Sequence, residues 1–187
     1  MLLRAIFGLL LLVASCSLLP SRVNAQSAPL TEYGVKAALL FNIAKYADWP
    51  AEAFSTSSAP IVIGVLGDDP FGDVLDKVVR GRLVNGRPLV VQRAGGISEL
   101  KGAHLVFFSP AESHAAQDCA VLEEYHILTV GDTAQTALFT AFNFAVEGDK
   151  IVFTVDLSRA SRAGVSMSSK LLSLAKAVKG TTQVGIH

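Results

Sequence analysis

The chain has 187 residues, 16 basic and 16 acidic, with 51% hydrophobic and 17% charged side chains. That length fits one domain, and so high an apolar content excludes disorder as the main state. An even charge balance also argues against a nucleic-acid binder, which needs a basic stripe to displace counterions from phosphates.

Residues 1–25 are expected to be an export leader. Arg4 gives a short basic start, and Ala5 to Leu19 is an uncharged apolar run too short to span as a helix. Val23 and Ala25 are the short side chains a signal peptidase reads, so cleavage is expected before Gln26, leaving residues 26–187 as one exported domain with no transmembrane helix. A second reading takes Val13-Ala14-Ser15-Cys16 as a lipobox, which would make the product a lipoprotein anchored at Cys16. Cleavage before Gln26 leaves Cys119 alone, so no intramolecular disulfide can form. The carboxylates Asp118, Glu123 and Glu124 nearby disfavour a reactive thiolate, and a small buried apolar role is expected.

Tyr33 to Trp49 reads as the first helix, with Thr31 as its N-cap. Val35, Ala38, Leu39, Ile43 and Tyr46 make one apolar strip, and Ala37, Leu40, Phe41 and Ala44 make another. A helix apolar most of the way round is buried on two sides or meets a partner. Ile61 to Leu66 is a β-branched run typical of a strand covered on both faces. Asp69-Pro70 is expected to open a helix through Arg80, Asn85-Gly86 to turn into a strand Leu89 to Gln92, and Leu105 to Phe108 to form another strand. A helix from Pro110 to Glu124, a strand Ile127 to Val130, a hairpin turning at Gly148-Asp149 and a last helix from Ser166 to Val178 complete the chain. The pattern predicts an α/β domain with a mainly parallel sheet flanked by helices, a C-terminal antiparallel hairpin and a final helix.

Motifs for chemistry are weak. The glycines of Gly64-Val-Leu-Gly67-Asp68-Asp69-Pro70-Phe71-Gly72 lack the spacing that wraps pyrophosphate, and two aspartates face the would-be anion. In Ser166-Met-Ser-Ser169-Lys170 the residue three before the lysine is Met167, so the Ser-x-x-Lys register fails. His104, His114, His126 and His187 make no one-turn pair for zinc, and loop or surface positions are expected for the first three. No catalytic residue, metal ligand or cofactor is assigned.

Four ordered segments resemble the YfiR/HmsC-like family of exported bacterial regulators. They are Tyr33-Gly-Val-Lys-Ala-Ala-Leu-Leu-Phe-Asn-Ile-Ala-Lys-Tyr-Ala-Asp-Trp-Pro50, Ile63-Gly-Val-Leu-Gly-Asp-Asp-Pro-Phe-Gly72, Val146-Glu-Gly-Asp-Lys-Ile-Val-Phe-Thr-Val-Asp-Leu157 and Arg162-Ala-Gly-Val-Ser-Met-Ser-Ser-Lys-Leu-Leu172. The resemblance implies a periplasmic repressor that binds the periplasmic sensory region of an inner-membrane diguanylate cyclase such as YfiN, lowering cyclic di-GMP and biofilm formation. No enzymatic activity is implied. Redox control through paired cysteines, as in some relatives, is not open to a chain that keeps only Cys119. The stretch Phe139-Thr-Ala-Phe142-Asn143 also lacks the Gly-Gly turn of the family pattern. Phe41, Tyr46 and Trp49 are expected to supply some of the surface that meets the partner, since aromatic anchors are enriched in binding hot spots, the alternative being that all three are core. The sequence is compatible with a homodimer, and a small-ligand sensor module is the alternative function, because parallel strand ends offer a crevice.

Overall fold

The computed structural model describes residues 31–180, so the leader, its cleavage site and Cys16 lie outside the described residues. The chain begins with α1 (Glu32–Tyr46), which runs into a short strand β1 (Ala47–Asp48), and then β2 (Ile61–Leu66), α2 (Asp73–Val79), β3 (Leu83–Val84) and β4 (Arg87–Ala94) follow. Next come β5 (Leu105–Phe108), α3 (Ala115–Glu123), β6 (Leu128–Gly131) and the hairpin β7 (Phe142–Glu147) and β8 (Lys150–Asp156). The chain closes with α4 (Leu157–Arg162), β9 (Ser166–Met167), the single turn α5 (Ser169–Leu172) and β10 (Ala177–Lys179).

Eight strands form one sheet in the order β10-β8-β7-β6-β5-β2-β4-β3. Within this sheet, among the described residues, only the β3–β4 and β7–β8 pairs are antiparallel. Alternation along the central strands divides the core. Leu105 and Phe107 of β5 face a cluster with α1, α2, α4 and α5, while Val106 and Phe108 face a smaller one with α3. A strand buried on both faces has no polar positions to spare, which is why the run is continuously apolar. β1 and β9 pair separately, Ala47 opposite Met167, and this small ladder holds α5 beside the exit of α1.

Thr31 caps α1 as expected, accepting from the Gly34 amide at 3.2 Å. Asn85 and Gly86, at φ 51° and 80°, make the left-handed turn between β3 and β4 that suits the twist of a hairpin. Three expectations need correction. The second helix starts at Asp73 rather than at Asp69-Pro70, because Asp69 Oδ1 takes the Phe71 amide at 2.8 Å and Oδ2 takes Arg93 Nε at 2.6 Å, so the segment ahead of the helix is held as a turn. The third starts at Ala115 rather than Pro110, after a turn in which the Glu112 amide donates to the Ser109 carbonyl.

The largest difference is at the C-terminal end. The expected helix from Ser166 to Val178 is divided into β9, one turn capped by Ser168, and β10, which pairs in parallel with β8. The outer edge of β8 offers unpaired backbone groups, and satisfying them outweighs the helical spacing of Leu171, Leu174 and Val178. The family likeness at Arg162 to Leu172 therefore covers a strand and a turn. α4 was not foreseen; Asp156 Oδ1 caps it by accepting from the Arg159 amide at 3.2 Å.

Candidate functional site

α1 lies across the larger core cluster and connects every residue expected to meet a partner. Its buried side presents Gly34, Lys36, Ala37, Leu40, Ile43 and Ala44 to the core. Lys36 is 1% exposed in the first half of an otherwise apolar face. Its Nζ lies 2.6 and 2.7 Å from the two carboxylate oxygens of Asp132, just after β6, and also pairs with Glu32. Tyr33 donates its hydroxyl to Asp132 Oδ2 at 3.3 Å. Burial pulls the Lys36 pKa down, but the bonds to Asp132 and Glu32 outweigh it and hold the ammonium charged. This cluster is closed on itself and ties the start of α1 to the sheet.

The aromatic residues Phe41, Tyr46 and Trp49 are all half-buried and lean on the core, and they face different neighbours. Phe41 and Tyr46 stand five positions apart, roughly 140° around a helix, so they flank its outer side rather than share a strip. The Arg82 guanidinium sits 4.5 Å from the Phe41 ring centroid. Lys45 and Lys170 sit 5.2 and 5.5 Å from that of Tyr46, and Lys170 first, with Lys45 adding, draws the phenol below its usual pKa. Trp49 turns inward, its Nε1 donating to the His104 carbonyl at 3.2 Å and its ring edge-on to His104 at 5.8 Å.

His104, expected at a loop or edge, is buried. Its ring stacks on Phe54 at 4.5 Å, and Nδ1 accepts from the Val62 amide at 3.2 Å. That bond assigns the ring proton to Nε2, which has no hydrogen-bond partner. Arg87 lies 3.7 Å over Phe54 and donates to the carbonyls of Thr56 and Ala59, so the loop ahead of β2 is pinned to the ring stack. Burial pushes the His104 pKa down to about 4, with the Arg87 charge adding. The folded chain therefore holds His104 neutral while the unfolded chain titrates near 6.5, and stability is lost as pH falls from about 6.5 toward 4. The loss is at most about 3 kcal/mol. His104→Asn, whose Oδ1 can replace the Nδ1 acceptor, should flatten this part of the pH profile in denaturant titrations between pH 7 and 4; an unchanged slope would contradict it.

The other groups singled out in the sequence are scattered. His126 has φ 60° and its Nδ1 meets the Ala163 carbonyl at 2.9 Å, while His114 is exposed. Cys119 is a buried free thiol, and burial pushes its pKa up to about 12. Ser168 is a helix cap. Among the described residues no group of three or more His, Cys, Asp or Glu side chains is placed to hold a metal ion.

A family model described as YfiR/HmsC-like matches residues 33–176. The chain belongs to the YfiR/HmsC-like family. Members are regulatory proteins rather than enzymes, and the family's theme is periplasmic regulation of diguanylate cyclases. No helix among the described residues is long and apolar enough to cross a membrane. The structure of a conserved domain protein from Vibrio cholerae O1 biovar eltor is similar in fold, with a TM-score of 0.54 at 9% identity over 80% of this chain. The alignment spans 60% of that protein's chain. The ABC domain in complex with L-Trp from Streptococcus pneumonia aligns at a TM-score of 0.44 and 8% identity, over 64% of this chain and 56% of that one. No curated protein matches the chain.

The resemblance could be read from sequence because its segments became structural anchors: the first is α1 with its buried Lys36, and the third is the hairpin. The Lys36–Asp132 pair was missed because its partners lie 96 positions apart. The one available signal was a lysine placed between Gly34 and Ala37 on the inward strip of an apolar helix.

Proposed function

We propose that this chain is an exported repressor that binds the periplasmic sensory region of an inner-membrane diguanylate cyclase and holds it inactive, lowering cyclic di-GMP and biofilm formation. Residues 1–25 are its cleaved leader and residues 26–187 the working domain. The observation that carries this reading is the YfiR/HmsC-like match across residues 33–176. A repressor acts by binding one state of its partner better than the other, and tenfold repression needs only about 1.4 kcal/mol of difference. Part of that surface is supplied by Phe41 and Tyr46 and by the accessible part of Trp49. Deleting the gene should raise cellular cyclic di-GMP, and an unchanged level in a cell that makes a membrane-bound cyclase partner would contradict the proposal.

A second reading, a small-ligand sensor module, is favoured by one observation. The strand order reverses between β2 and β5, where Gly67 at φ 84° brings the backbone against Ser109, and ligands bind at such reversals in open parallel sheets. A thermal-shift panel of amino acids, nucleotides and envelope fragments tests it, and a flat panel would count against it.

A further inference from the structure

The chemistry of the partner is written on the outer side of α1. The helix has one acidic residue, Glu32, and it is engaged with Lys36 in the first turn. Beyond that turn the exposed charges are mostly positive, Lys45 on the helix, Arg82 after α2 and Lys170 on α5, against one exposed carboxylate at the helix exit, Asp48. None of the three makes an ion pair among the described residues, a property shared with Arg80, Arg87, Lys101, Lys150 and Lys179, whereas Lys77, Arg93, Arg159, Arg162 and Lys176 all do. Instead they sit over aromatic faces, Arg82 on Phe41, Lys45 and Lys170 on Tyr46. A ring face attracts a cation without neutralising it, so the charge stays available to an incoming carboxylate. The β1–β9 ladder fixes α5 against the exit of α1, which brings Lys170 to Tyr46.

We propose, on the basis of the cyclase-binding function above, that Phe41, Lys45, Tyr46, Arg82 and Lys170 form one docking surface for an acidic, partly apolar segment of the partner protein. The two rings take its apolar side and the three cations its carboxylates. Charge complementarity favours this occupant over the alternatives. A second copy of the chain meeting this face across a two-fold axis would set cation against cation. An anionic bilayer is usually held by clusters of about four to eight basic residues, and three on a chain with equal numbers of basic and acidic residues fall short of that.

The test compares the native chain with K45E/R82E/K170E and with the neutral K45Q/R82Q/K170Q. Binding is measured to the full-length membrane-bound cyclase in nanodiscs at 50 and 300 mM NaCl. Native affinity should fall about tenfold across that salt range. Charge reversal should cost at least 30-fold at low salt, with the neutral variant between the two and melting temperatures unchanged. Native binding that is indifferent to salt and to reversal would overturn this surface while leaving the regulator function standing. Failure of the native chain to bind any cyclase of its cell would overturn the function itself. Reversal-sensitive binding to phosphatidylglycerol vesicles, or reversal-sensitive self-association in sedimentation, would replace the acidic protein segment with a bilayer or a second copy.

Discussion

Replacing Lys36 with Met should destabilise the domain by about 3 to 5 kcal/mol, the usual cost of removing one member of a buried ion pair. Asp132, whose side chain is 4% exposed and whose carboxyl burial already holds above its usual pKa, would then have only the Tyr33 hydroxyl beside it and must either carry an uncompensated buried charge or take up a proton. In a domain of this size that is a drop of roughly 10 °C in melting temperature. Asp132→Asn should be milder, since the amide can still accept from Lys36 and Tyr33, although it leaves Lys36 with Glu32 alone as counter-ion. The double change Lys36→Met with Asp132→Leu should recover most of the loss, because two apolar groups bury no charge. A calorimetric cycle over the native chain, Lys36→Met, Asp132→Leu and the double variant checks this, and additive losses in the double variant would contradict a buried pair. The pair joins the first turn of α1 to the end of β6, so its loss should also loosen the helix that carries the proposed docking surface.

The second large effect is expected at Gly131. A Cβ there would fall 2.3 Å from Thr136 Oγ1 and 2.6 Å from Asn143 Oδ1, closer than real atoms pack. Neither neighbour can retreat. Thr136 Oγ1 accepts the amides of Asp132 and Thr133 at 3.1 and 3.0 Å, and it can donate to Asn143 Oδ1 at 3.0 Å. Asn143 is held in turn through its amide, which donates to the Phe144 carbonyl at 2.9 Å, and it pairs with Gly131 across β6 and β7. Gly131→Ala should therefore cost about 2 to 3 kcal/mol through overpacking and disturbance of this network. Gly95→Ala, where a Cβ meets nothing within 4 Å, is the control and should change stability by less than about 0.5 kcal/mol. Equal denaturant midpoints for the two variants would contradict the packing described for β6 and β7.

The same residues indicate what could be read from sequence. Asn85-Gly86, the hairpin around Gly148-Asp149 and the run Leu105 to Phe108 were legible because a local rule decides each: a left-handed turn, a period of two, burial on both faces. Thr31 was legible for the same reason, as a side chain capping its own helix. Residues after Ser166 were not, since their helical spacing is genuine and was overruled by the distant edge of β8. Lys36 and His104 were illegible individually. Each owes its burial to partners far along the chain, Asp132 for the first and Trp49, Phe54 and Val62 for the second. The aromatic residues chosen as partner anchors were found on one helix and its exit, but sequence could not show that Trp49 turns inward to His104 or that cations cover Phe41 and Tyr46. That distinction separates Trp49, which offers the proposed surface only its accessible part, from Phe41 and Tyr46, which are proposed to form its apolar side.

Regulation by contact makes one quantitative demand that can be met in a reconstituted system. The initial rate of cyclic di-GMP synthesis by the full-length cyclase in sealed vesicles is followed while the mature chain is titrated on the periplasmic side. The rate should fall to a plateau that is reached near one chain per cyclase protomer and is unaffected by adding candidate substrates for the chain itself. A rate that stays constant at a large molar excess of folded chain would contradict the account.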